Sequence, residues 1–313
     1  MSAATDLDAV AAAARVLGPR ATRDEPLAPL TTYRVGGAAA LFVRARSIDD
    51  LVAVATARRT SGLPVLVVGK GSNLLVADTG FPGIAVSVAE LAGEIEVLDG
   101  PEVLAGGGVP LPVLARRTAA LGLRGLEWAV GVPGTVGGAV RMNAGGHGSD
   151  IAECLLAATV FDLDDVGSRS REVAPQDLGL RFRGSDLGDH QVVLAARLRV
   201  ERGDRAAAEA AITEIVRWRR EHQPGGQNCG SVFVNPVPGE VSAGSLIDGL
   251  GLRGHRVGTA WVSEKHANFV QASDAGNAAD VRALIEDVRQ RVAAATGFLL
   301  RSEVRLVGFG DGA

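Results

Sequence analysis

Cysteine is nearly absent: Cys154 and Cys229 are the only two in 313 residues. They stand far apart, and no His, Cys or carboxylate cluster accompanies them at ligand spacing. Neither a disulfide scaffold nor a metal centre is expected, and two reduced thiols in a cytoplasmic chain are. Aromatic residues make up 4%, with a single tyrosine, so Val, Leu, Ile and Ala must build the core that a hydrophobic content of 47% allows. Lysine is almost missing too. Lys70 and Lys265 are two of 32 basic residues, and the other 30 (32 − 2) are Arg. A net charge of −4 and a pI near 5.8 argue against nucleic acid as a partner. No apolar run is long enough to span a bilayer. The N-terminus is acidic and amphipathic, with no basic segment before an apolar one, so it does not read as a signal peptide.

What is present alternates helix and strand. Residues 6–17 read as a helix, followed by a loop through Pro26 and Pro29, and 38–45 alternates as a strand. Ser47 with Asp50 forms a capping-box signal that opens a helix over 48–60, closed by Ser61-Gly62-Leu63-Pro64. A buried strand over 65–68 runs into Gly69-Lys70-Gly71-Ser72-Asn73. Strands follow at 84–88, 95–98 and 102–105, a helix at 111–121, and strands at 156–162 and 191–200. An Ala-rich helix over 205–220 precedes a polar Gly/Pro stretch at 221–229 that suits a domain boundary. The 281–295 helix places Val281, Leu284, Ile285, Val288 and Val292 on one face, and a last strand covers 302–307.

Two glycine-rich segments carry the chemistry. Gly69–Asn73 follows a strand but lacks the Gly-Lys-Ser/Thr ending of a P-loop and the third glycine of a Rossmann fingerprint. Residues 129–146, AVGVPGTVGGAVRMNAGG, read as a tight turn feeding a short helix whose free N–H groups would suit a phosphate. Two such loops suit a pyrophosphate-bearing ligand better than one.

Four motifs occur in order: VVGKGSNLLV, GVPGTVGGAVRMNAGG, CGSVFVNP and SEKHANFV. Together they resemble the UDP-N-acetylenolpyruvoylglucosamine reductase family, from about Thr31 to Val307, in its shorter type without a long insertion. The resemblance implies an α+β chain. An FAD-binding fold of the vanillyl-alcohol-oxidase (PCMH) kind would occupy 1–203 in two α/β lobes, about 18–90 and 91–203. A C-terminal α+β substrate-binding domain would occupy 204–313. It implies FAD held by Gly69, Lys70, Gly71, Ser72 and Asn73 on one side and by Gly131, Val132, Pro133, Gly134, Thr135, Gly137 and Gly138 on the other. No histidine lies in the first loop, so the FAD is expected to be non-covalent. NADPH would be the hydride donor and a UDP-sugar the substrate, in peptidoglycan precursor synthesis.

By the same resemblance Ser231 is the proton donor, Arg183 clamps the substrate carboxylate, and Glu303 completes the catalytic trio. Asn235 and His266 would be substrate-site positions. Taken alone, Ser231 reads as a turn residue, Arg183 as a loop cation and Glu303 as an edge-strand charge. The chain departs from the family pattern in four places. Phe182 replaces a usual Tyr, Val234 a Lys, Arg301 an acidic residue and Cys229 an Ala. Val234 keeps one alternative open, a divergent paralogue reducing another enol ether or sugar nucleotide; a second, of another class, is a flavin-binding module without turnover.

Overall fold

The computed structural model describes residues 3–165, 167 and 169–310. The chain forms two compact units, each drawn from separate stretches of sequence: Met1–Glu25, Ala40–Lys70 and Pro82–Arg219 in the first, and Pro26–Ala39, Gly71–Phe81 and Arg220–Ala313 in the second.

The first unit holds two larger sheets with separate cores. One sheet has the strand order Ala21–Pro26, Ala38–Arg44, Phe81–Ser87, Val65–Val67, the last two running parallel with Val65 opposite Ile84. Leu41, Val43, Ile84 and Val86 pack against Ala13 and Leu17 of helix Ala3–Leu17 and against Leu51 and Val54 of helix Ile48–Ser61. The capping box is in place: Ser47 Oγ accepts from Asp50 N–H and the Asp50 carboxylate accepts from Ser47 N–H. Gly62, at φ 72°, ends the helix in the left-handed conformation that a β-carbon disfavours. Strand Ala21–Pro26 takes the place of the expected loop. Four of its six residues are exposed, so it shows little of the apolar alternation that marks a strand.

The other sheet is antiparallel, in the order Ser170–Val173, Leu155–Asp162, Gln191–Arg199, Glu102–Gly106, Ile95–Val97. Val103, Ala105, Ala158, Val160, Ala196 and Leu198 share a core with helices Leu111–Ala120 and Val136–Met142. Ala208 and Ile212, on helix Arg205–His222, join that core.

In the second unit a three-stranded antiparallel sheet, Arg256–Val257, Ala260–Val262 and Val270–Ala272, is covered by helix Ala278–Thr296. All five residues expected on its inner face are buried there, each contributing about 1.5–3 kcal/mol of apolar transfer. Asn277 caps this helix, and Asp78, two hundred positions earlier, accepts from the N–H groups of Ala278 and Ala279 at 2.8 and 3.0 Å. Strand Arg305–Val307 runs parallel to Leu74–Val76. Tyr33, Val35 and Leu75 are part of the same core. Among the described residues, no helix is long and apolar enough to cross a membrane.

Candidate active site

Strand Val65–Val67 delivers the chain into the first glycine loop. Among the described residues, none of the five consecutive N–H groups from Gly69 to Asn73 donates a hydrogen bond. Such a run of open donors suits an anion. Glycine is required at two of its positions. Gly71 lies at φ +56°, and a Cβ there would collide with the Leu30 carbonyl; a Cβ at Gly69 would come within 2.6 Å of Thr135 Oγ1. The loop's far end is anchored inside the second unit, where Asn73 Nδ2 donates to Glu303 O at 2.9 Å and Arg305 N–H donates to Asn73 O at 2.9 Å.

The second glycine segment behaves differently. The turn does feed a short helix, Val136–Met142, but its first-turn N–H groups are not free as expected. Val136 donates to Val109 O at 2.9 Å, Gly137 to Gly107 O at 2.8 Å, and Gly138 to the capping Thr135 Oγ1 at 3.4 Å. The helix start is joined to the 107–109 turn, and a Cβ at Gly137 would sit only 3.1 Å from Gly107 O. The donors without a described partner lie one step earlier, at Gly134 and Thr135. Gly138 is roomier than Gly137: a Cβ there would meet only Thr135 Oγ1, at an ordinary 3.5 Å.

Arg183 stands in the first unit, at the tip of a two-residue turn closed by a pair of 3.0 Å bonds between Arg181 and Gly184. Its φ of +58° is left-handed, a conformation that costs a non-glycine residue about 1–2 kcal/mol. The Phe182 ring, 56% exposed, lies 4.6 Å from the Arg183 guanidinium carbon. The aromatic stacking face is therefore kept at a position where only a hydroxyl is missing.

The second unit brings Ser231 and Glu303 together. Gly230, at φ 84°, turns the chain so that Ser231 is exposed while Val232 and Phe233 are buried. Glu303 N–H donates to Val232 O at 2.8 Å, and Phe233 bridges Ser302. Among the described residues the Ser231 hydroxyl makes no hydrogen bond. One register step on, Val234 N–H donates to Arg301 O at 3.0 Å, so two of the four departures are hydrogen-bonded neighbours. Beneath this turn Cys229 is buried beside the fully buried Tyr33, whose hydroxyl has no partner at hydrogen-bonding geometry. Burial pushes the Cys229 thiol up to about 12, and the Glu303 carboxylate acts in the same direction.

Asn235 and His266 are both engaged with their own backbone surroundings. Asn235 Oδ1 accepts from Ala243 N–H at 3.1 Å, and His266 Nδ1 accepts from Asn268 N–H at 3.2 Å, with the Phe269 ring 4.8 Å away. Burial, and then Arg253, lower the His266 pKa, which disfavours the charged imidazolium. One residue that the motif reading passed over emerges from the geometry. Asn143, 3% exposed and at φ 40°, makes three side-chain hydrogen bonds at the end of the Val136–Met142 helix. Its signal was available, since Asn just past a short helix is a left-handed capping residue.

Comparison with known proteins agrees with this arrangement. Residues 39–166 match the family model of an FAD binding domain. An α+β chain with such a domain and two glycine loops is an FAD oxidoreductase. Residues 222–307 match the C-terminal domain of UDP-N-acetylenolpyruvoylglucosamine reductase. The protein of that name from Parasynechococcus marenigrum (strain WH8102) is 44% identical over 291 residues, covering 92% of this chain and 96% of the relative. That from Heliobacterium modesticaldum is 41% identical, covering 93% and 91%. The crystal structure of UDP-N-acetylenolpyruvylglucosamine reductase from Thermus caldophilus superposes with a TM-score of 0.77 at 32% identity, covering 92% of this chain and 99% of that one. The chain belongs to the UDP-N-acetylenolpyruvoylglucosamine reductase family. Its residues fit FAD: the open N–H run of Gly69–Asn73 would offer donors to a pyrophosphate, on a path that excludes side chains at Gly69 and Gly71.

Proposed function

We propose that this chain reduces the enolpyruvyl group of UDP-N-acetylglucosamine enolpyruvate to UDP-N-acetylmuramate, with NADPH as hydride donor, in the cytoplasmic synthesis of peptidoglycan precursors. FAD, held non-covalently by Gly69–Asn73 and by residues Gly131–Thr135, Gly137 and Gly138, supplies the two-electron relay between NADPH and substrate. The observation that carries the reading is the backbone bond from Glu303 N–H to Val232 O, which sets Glu303 beside the Ser231 turn, with Ser231 exposed and its hydroxyl without a described partner.

The chemistry explains why this set of residues suits the task. Hydride addition at C3 of an enolpyruvyl ether leaves negative charge at C2, delocalised into the carboxylate. A proton must then reach C2, and a serine hydroxyl is a weak acid that delivers it only when that charge is stabilised. Arg183 would hold the carboxylate with its guanidinium fork, Ser231 would give the proton, and Glu303 would stabilise the enol form by hydrogen bonding. Asn235 and His266 would contribute to the substrate site through the groups their backbone partners leave over.

The test is Ser231→Ala. The variant should retain flavin and its reduction by NADPH, while reoxidation by UDP-N-acetylglucosamine enolpyruvate falls about 10²–10⁴-fold in stopped flow. Wild-type reoxidation would remove Ser231 from the mechanism. Wild-type enzyme that the UDP-sugar fails to reoxidise would favour the paralogue, and flavin that NADPH cannot reduce would favour a module without turnover.

A further inference from the structure

Arg183 occupies a backbone conformation that it would not hold alone, and the second glycine segment supplies what holds it. Asn143 uses both amide donors and its oxygen: Oδ1 accepts from Ala152 N–H at 2.9 Å, while Nδ2 donates to Asp150 Oδ2 at 3.2 Å and to Arg181 O at 3.3 Å. Arg181 O is also the acceptor that closes the turn with Gly184. Asn143 therefore grips the leg entering the Arg183 turn. Ser185 ties the leg leaving it, donating to Arg141 O at 2.7 Å, and Arg183 itself donates from Nη2 to Gly145 O at 3.3 Å. All three acceptors or donors on the other side belong to the single stretch Arg141–Gly145, at the end of helix Val136–Met142. Asn143 is itself left-handed, at φ 40°, and buried. A strained residue persists only where its surroundings over-determine it, and here they do so from one helix end.

We infer that Asn143 is the positioning residue for Arg183. Its amide fixes the height and direction of the turn from which the guanidinium reaches the substrate carboxylate, and it touches neither substrate nor cofactor. The inference rests on the reading of Arg183 as the carboxylate clamp.

The experiment uses flavin-loaded Asn143→Gly, because glycine keeps the left-handed backbone and removes only the side chain. Flavin reduction by NADPH should stay within about twofold of wild type, while reoxidation by UDP-N-acetylglucosamine enolpyruvate slows by about 10- to 100-fold, the range expected when a binding group is misplaced. Asn143→Gly combined with Arg183→Ala should be no slower than Arg183→Ala alone, since a residue acting through Arg183 has nothing further to lose. Wild-type reoxidation in Asn143→Gly, or losses that multiply in the double variant, would overturn the inference. If Arg183→Ala itself reoxidises at the wild-type rate, the clamp reading fails instead. Should Asn143→Gly not retain flavin, Asn143→Asp takes its place in the same measurements. It keeps the acceptor for Ala152 and presents an oxygen, rather than a donor, to Arg181 O.

Discussion

The two glycine-rich segments look like equivalents in the sequence and are opposites in the structure. Gly69–Asn73 leaves five successive N–H groups without described partners, and its glycines are required because backbone or side-chain atoms crowd them. The helix after Thr135 spends its first donors on the 107–109 turn and on its own cap, while Gly138 faces little that would exclude a side chain. Glycine density thus signals two different needs. In the first loop the fold itself demands a bare backbone along a run of open donors. In the second, Gly137 is crowded by the Gly107 carbonyl, while Gly138 has room for a side chain.

The strongest way to break this contrast is Gly71→Ala. The left-handed backbone costs about 1–2 kcal/mol, and the collision with Leu30 O adds to it because a carbonyl cannot swing aside. Thermal melting should drop and the purified variant should lack the flavin absorbance band; a yellow variant of wild-type stability would refute the requirement. Thr135→Ala should have an intermediate effect. It removes the cap of helix Val136–Met142, at a cost of about 0.5–2 kcal/mol by denaturant titration, and frees the space beside Gly69. Gly138→Ala should change stability least, raising it by about 0.5–1 kcal/mol through helix propensity. The same variant should nonetheless bind flavin more weakly in a fluorescence titration. Unchanged affinity would show that Gly138 is not kept for the cofactor.

Much of the fold was legible because its signals are local. The Ser47–Asp50 capping box, the Gly62 stop and the five-residue apolar face beginning at Val281 each follow from spacing within a few turns of chain. Strand Ala21–Pro26 was not legible, since its mostly exposed side chains carry no alternation. Nor was the pairing of Arg305–Val307 with Leu74–Val76, which joins segments more than two hundred residues apart with nothing in either that names the other. At the candidate site, motif order pointed to Ser231 and Glu303, and a backbone bond from Glu303 N–H to Val232 O runs beside them. The left-handed turn at Arg183 could not be read, because arginine is a poor predictor of positive φ. The expectation of free helix donors after Thr135 failed for a related reason. Which carbonyl reaches an N–H first depends on a turn formed by Gly107 and Val109, far upstream in the chain.

The scarcity of thiols has a practical side. Cys154 and Cys229 are both buried, and burial pushes each thiol up to about 12, so neither offers a thiolate to electrophiles near neutral pH. The native chain is therefore silent towards maleimide and iodoacetamide dyes. A cysteine introduced on the surface of either unit would be the exposed thiol there, with neither natural cysteine needing replacement.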